Sequence, residues 1–110
     1  KEITKGKLTT IINYNSILSG NPKPEAIHGG IIATIIDHTG GFCAWSILNQ
    51  GGSYISTVDL KIDYINPLYL EEEGLICDSI ITYNDIENNL IYTDMKCWNK
   101  LRTKEIALGR

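Results

Sequence analysis

The stretch HGGIIATIIDHTGGFCAWSIL, residues 28–48, limits the fold more than any other part of the chain. From about Gly30 to Leu48 it reads as one helix of about 19 residues, roughly 28 Å long and apolar nearly all round. Such a helix has to be covered on most sides. It also carries two features that cost stability. Gly29 and Gly30 stand where a capping side chain is expected, although glycine is the poorest helix former after proline. Asp37 falls among isoleucines, where a carboxylate taken out of water needs partners. Two broken local rules on one element mark it as the place to look for function.

The segment is about as long as a membrane span, roughly 20 residues. Asp37 near its centre opposes insertion by about 2.5–3.5 kcal/mol, and His38 and the glycines oppose it further. We therefore expect a buried helix of a soluble domain, with no membrane span.

The rest of the chain offers the cover. Residues 7–18 (KLTTIINYNSIL) are rich in Thr, Ile and Tyr and read as a strand. Residues 19–27 hold Gly20, Pro22 and Pro24 and read as a loop of little freedom. The glycines of residues 49–53 close the helix. In VDLKIDYINP, Val58, Leu60, Ile62 and Tyr64 alternate with Asp59, Lys61 and Asp63: a strand with one wet face, ended by Pro67. Residues 75–83 and 90–98 form two more strands around a turn at 84–89, and a last strand starts near Thr103. Short turns imply antiparallel meander pairing. The order predicts a single α+β domain over 1–110, with one long central helix wrapped by a curved antiparallel sheet of about five to six strands. A partner subunit is expected to close the open side.

Composition fits one core: 110 residues, 43% hydrophobic and 21% charged, are ordinary for a globular domain. A net charge of −3 and a pI near 5.3 leave no electrostatic footprint for nucleic acid. Cys43, Cys77 and Cys97 are odd in number and form no C-x-x-C pair. They predict buried free thiols in a reducing compartment, not a disulfide framework or a zinc site. No signal-peptide pattern opens the chain, so a cytoplasmic location is expected. His28, Asp37 and His38 do not make a metal site, since neighbours 37 and 38 point about 100° apart on a helix. No cofactor is implied.

HGGIIATIID at 28–37, with STVDLKIDYINP at 56–67 and this element order, resembles the hotdog-fold acyl-CoA thioesterases. The nearest resemblance is to the phenylacetate-degradation type and its vertebrate relatives, and it covers nearly the whole chain. It implies a hotdog fold and hydrolysis of an acyl-CoA to free acid and coenzyme A, without a cofactor, by a homodimer or dimer of dimers. It implies catalytic roles for Asp37 (nucleophile or general base), for the Gly29 backbone N–H (oxyanion hole) and for Thr57 (orienting the attacking water). His28, Gly30 and Asn21 would contact substrate. Asn21 stands one residue farther from HGG than in the family, with two prolines between, and His38 replaces the family's small or amide residue.

Each of these residues also has a structural explanation. Gly29 and Gly30 could simply let helix and sheet pack closely; as functional residues they leave helix N–H groups open to a developing oxyanion. Asp37 could be a buried acid satisfied by a backbone or tyrosine hydrogen bond. His28 is expected to fix the loop through backbone hydrogen bonds, and His38 to pack in the core or at a subunit contact. Ser46, Ser53 and Ser56 lack the G-x-S-x-G context of an α/β-hydrolase. Trp45, Phe42 and Met95 are apolar enough to line an acyl pocket but are equally core residues. Lys100, Arg102 and Lys104 suit coenzyme A phosphates or a solvated hairpin rim. A non-catalytic hotdog domain that senses acyl-CoA is the competing function; a hotdog dehydratase requires a His-containing motif that is not found. Finally, Gly29 and Asp37 are eight residues apart, about 12 Å along one helix. Both can serve one thioester only if they come from two copies of the chain.

Overall fold

The structure, a computed structural model, describes residues 2–4, 6–13, 19–22, 25–48, 55–69, 74–85 and 87–110. In chain order the elements are β1 (Glu2–Thr4), β2 (Lys7–Asn13), β3 (Ser19–Pro22), β4 (Glu25–Ile27), α1 (Gly29–Trp45), β5 (Ile62–Tyr64), β6 (Gly74–Asp85), β7 (Leu90–Asn99) and β8 (Glu105–Gly109). Six strands form one antiparallel sheet in the order β1-β2-β6-β7-β8-β5. The helix lies across β2, β6 and β7. This is the α+β hotdog arrangement that the element order predicts.

Alternation along the strands decides which side chains meet the helix. On β7, Met95, Cys97 and Asn99 are buried while Asp94 and Lys96 are exposed, the two-residue period of a sheet with one dry face. Cys77 of β6 pairs across from Cys97, and Ala107 of β8 pairs with Cys97 on the other side. Ile32, Ile36 and Cys43 of the helix close on this face, Ile36 and Cys43 with no exposed surface. Helix and sheet approach closely because two small residues allow it. A Cβ on Gly109 would stand 2.5 Å from Ile36 Cγ2, and one on Gly40 would stand 3.0 Å from both Sδ and Cε of Met95. Buried Asn99 satisfies itself by organising the β7–β8 turn: its Oδ1 accepts from the Thr103 and Lys104 N–H groups, and its Nδ2 donates to Thr103 Oγ1.

Three expectations change. The loop expected over 19–27 holds two short strands: β3 and β4 pair antiparallel as a small second sheet, with Pro22 at the end of β3, where its missing N–H is tolerated. The helix stops at Trp45, short of Leu48, because the Ser46 hydroxyl turns back to donate to the Cys43 carbonyl at 2.6 Å. The same hydroxyl accepts from the Gly6 N–H at 2.9 Å. The glycines expected to close the helix, 49–53, lie outside the described residues. The strand expected over 58–64 is a ladder only at Ile62–Tyr64. It is an outer strand of the sheet, and Val58, just ahead of it, is 80% exposed. Of the strand expected over 7–18, β2 covers Lys7–Asn13, and 14–18 lie outside the described residues.

Cys43, Cys77 and Cys97 are buried free thiols, as expected. Burial pushes the Cys43 thiol up. Cys97 donates its hydrogen bond to Cys77, which together with burial pushes Cys97 up and draws Cys77 down. Among the described residues, no helix is long and apolar enough to cross a membrane.

Candidate active site

The helix start is fixed from outside. The Ile27 N–H donates to the Leu68 carbonyl at 2.9 Å, anchoring β4 just before His28. His28 is the N-cap, with φ −63° and ψ 135°, and its Nδ1 accepts from the Gly30 N–H at 2.9 Å. The cap is therefore not missing: an imidazole supplies it in place of the usual Ser or Asp. That leaves the Gly29 N–H without a hydrogen-bond partner among the described residues. Tyr64, from β5, lies against Gly29 and donates its hydroxyl to the Gly29 carbonyl at 2.9 Å. Sequence reading placed Tyr64 on the dry face of its strand and missed this contact, which joins residues 35 positions apart.

Asp37 corrects the largest expectation. It is exposed in the single chain, not buried among isoleucines. Successive helical residues turn by about 100°, so Ile36 enters the core and Asp37 points away from it. Its carboxylate is nevertheless held: the Thr57 hydroxyl donates to Asp37 Oδ1 at 2.6 Å. The hydroxyl proton thus goes to the carboxylate, and not to a water, and no hydrogen bond reaches Oδ2 among the described residues. Asp37 and Thr57 sit together on the wall of a cavity of about 700 Å³, within the usual size range for small-molecule sites. Gly29, Gly30 and His28 do not line it. Asn21 is paired in β3 opposite Ala26.

The chain has the sequence profile of known proteins over this region: residues 25–82, just over half its length, match the thioesterase superfamily. The chain belongs to the thioesterase superfamily. It is 32% identical over 69 residues to a protein named as an esterase in Halobacterium salinarum, covering 61% of this chain and 46% of that one. It is 49% identical over 47 residues to the acyl-coenzyme A thioesterase THEM4 of Rattus norvegicus, covering 43% and 18%. The chain thus spans less than half the length of either relative. Among solved structures, a Streptococcus mutans protein bound to acetyl CoA superposes with TM-score 0.82 at 21% identity, over 99% of this chain and 80% of that one. The PaaI protein of the E. coli phenylacetic acid degradation operon superposes with TM-score 0.79 at 17% identity, over 96% and 70%. These last two are likenesses of fold.

The remaining candidates of this thioesterase-superfamily chain fall into place around that site. Met95 is buried and lines the cavity; Phe42 and Trp45 are exposed and do not. His38 is exposed, its ring 4.5 Å from that of Phe42, so the single chain does not take it into the core. Arg102 forks onto Asp78, and that guanidinium, helped by the Thr9 hydroxyl, holds the Asp78 carboxyl below the usual range. Lys104 lies 5.0 Å over the Tyr69 ring, and Lys100 reaches Asn13 Oδ1 at 3.5 Å. None of the three cysteines lines the cavity, which removes a thiol nucleophile from consideration.

Proposed function

We propose that the chain hydrolyses an acyl-CoA thioester to free acid and coenzyme A, as a homodimer with two shared sites. The observation that carries this is the Thr57–Asp37 hydrogen bond at the cavity wall. A carboxylate pinned through one oxygen keeps the other oriented, ready to take a proton from water or to attack the thioester carbonyl carbon. Attack moves negative charge onto the carbonyl oxygen, where a helix-start N–H, aided by the helix dipole, lowers the barrier. The unpartnered Gly29 N–H is of that kind. His28 keeps it available by occupying Gly30 instead, and Tyr64 holds the next peptide plane, that of the Gly29 carbonyl and the Gly30 N–H. Collapse of the tetrahedral adduct breaks the C–S bond and releases the coenzyme A thiolate, which takes up a proton; where Asp37 itself attacks, water then cleaves the resulting acyl anhydride, giving the free acid and restoring the carboxylate.

The name of the rat relative, an acyl-coenzyme A thioesterase, and the acetyl CoA held by a protein of the same fold support the substrate class. Gly29 and Asp37 of one helix stand about 12 Å apart along the axis, so each site draws Gly29 from one copy and Asp37 from the other. Thiol release from a panel of acyl-CoAs tests the activity. Asp37→Asn keeps the shape and removes the charge, and kcat should fall by at least about 10²-fold. Near wild-type turnover in that variant removes Asp37 from the mechanism, and CoA esters bound but left intact by the wild type favour a sensor.

A further inference from the structure

Gly41 sits mid-helix, four residues beyond Asp37, and a Cβ built on it meets nothing within 4 Å. Its neighbour Gly40 has a packing reason, since Met95 and Thr93 press against it. Gly41 has none within the chain, yet glycine weakens any helix interior relative to alanine. What it does adjoin is the cavity. At about 100° per residue, Asp37, Gly41 and Ala44 share one face, spanning roughly 10 Å along the axis. All three line the cavity, so it runs from the candidate catalytic carboxylate toward the helix C-terminal end.

The chemistry of the walls selects what can lie there. Ile47, Ile55, Val58, Leu90, Ile91 and Met95 are all aliphatic or thioether, and the described lining holds no aromatic ring. The polar part of the described lining includes Thr57, Asn84 and Thr93, and its charged groups are Asp37, Asp59 and Asp85 against one cation, Arg110. Three carboxylates against one guanidinium disfavour the phosphates of a nucleotide, so the coenzyme A end of a substrate has to leave by another route. We propose that this cavity is the acyl channel, that it takes straight aliphatic chains, and that Gly41 sets how long a chain it admits. The inference rests on the thioesterase activity proposed above.

The test compares wild type with Gly41→Val across straight-chain esters from acetyl- to dodecanoyl-CoA, with phenylacetyl-CoA alongside. Bulk at position 41 should lower the dodecanoyl-to-acetyl ratio of kcat/KM at least about tenfold, the discrimination that a blocked hydrophobic pocket supplies. If Gly41→Val fails to fold, Gly41→Ala, which the helix favours, should shift the ratio the same way by less. Direct binding of dodecanoyl-CoA to Asp37→Asn protein, with and without Gly41→Val, separates the two proposals. A weakened Kd with a wild type inert toward every ester sinks the hydrolase and leaves the channel. Active wild type with an unmoved chain-length ratio sinks the channel and leaves the hydrolase. Equal loss at every length with a fall in oligomer mass gives the space to a partner subunit and overturns the proposal. Preference for phenylacetyl-CoA over every aliphatic ester overturns the substrate class.

Discussion

Subunit sharing can be decided with two dead variants. An oxyanion donor lies about 3 Å from the oxygen, the C=O bond adds about 1.2 Å, and the attacking atom lies about 3 Å from the carbon. Laid end to end these reach about 7 Å, against about 12 Å of helix between Gly29 and Asp37. A helical side chain leans toward the N-terminus, but an aspartate side chain is too short to close the remaining gap, and Asp37 is already tied to Thr57 through Oδ1. Gly29→Pro removes the donor with little disturbance. Position 29 is the first helical residue, where proline is well tolerated. His28 already has the extended backbone, φ −63° and ψ 135°, that a following proline demands. A Cβ there meets the Tyr64 ring at 3.5–3.6 Å, ordinary contact. Gly29→Pro and Asp37→Asn should each be inactive alone. Mixed one to one with random exchange, half the dimers are mixed and each holds one intact site of two, so activity should recover to about a quarter of wild type. Native mass spectrometry counts the heterodimers and thiol release reads the activity. Heterodimers present without recovered turnover would refute shared sites, and an active Gly29→Pro homodimer would refute the oxyanion role.

Thr57→Val should lower kcat with little change in KM, because the lost hydrogen bond orients the attacking group and does not hold substrate; a change confined to KM marks a pocket wall instead. Asp78→Asn should lose about 0.2–1 kcal/mol at pH 7, the range for an exposed ion pair. Because Arg102 depresses the folded-state carboxyl, that stabilisation is complete above the ordinary carboxylate value of about 3.9 and fades as pH falls through the lower folded value. Urea melts should show variant and wild type converging in acid; a constant difference from pH 7 to pH 3 contradicts the pairing. Gly40→Ala should be no more stable than wild type in thermal melts, since Met95 at 3.0 Å offsets the roughly 1 kcal/mol gained in helix propensity. A clear rise in Tm shows that Met95 moves aside freely.

Some of this was decided by sequence alone. The apolar run ahead of alternating segments fixes one helix against an antiparallel sheet, because period 3.6 and period 2 cannot be exchanged. The eight-position separation of Gly29 and Asp37 sets their spacing wherever the helix sits. The tertiary structure decided what each group meets. Asp37 reads as buried because its neighbours in sequence are isoleucines, yet helical rotation sends Ile36 inward and leaves Asp37 on a wall where Thr57, 20 residues on, reaches it. The His28 cap and the Tyr64 clasp depend likewise on where β4 and β5 bring the chain. Periodicity reports which residues avoid water, but not which surface covers them. For an outer strand and a helix face bearing Phe42 and Trp45, only the folded arrangement shows how far these side chains stay exposed in the single chain.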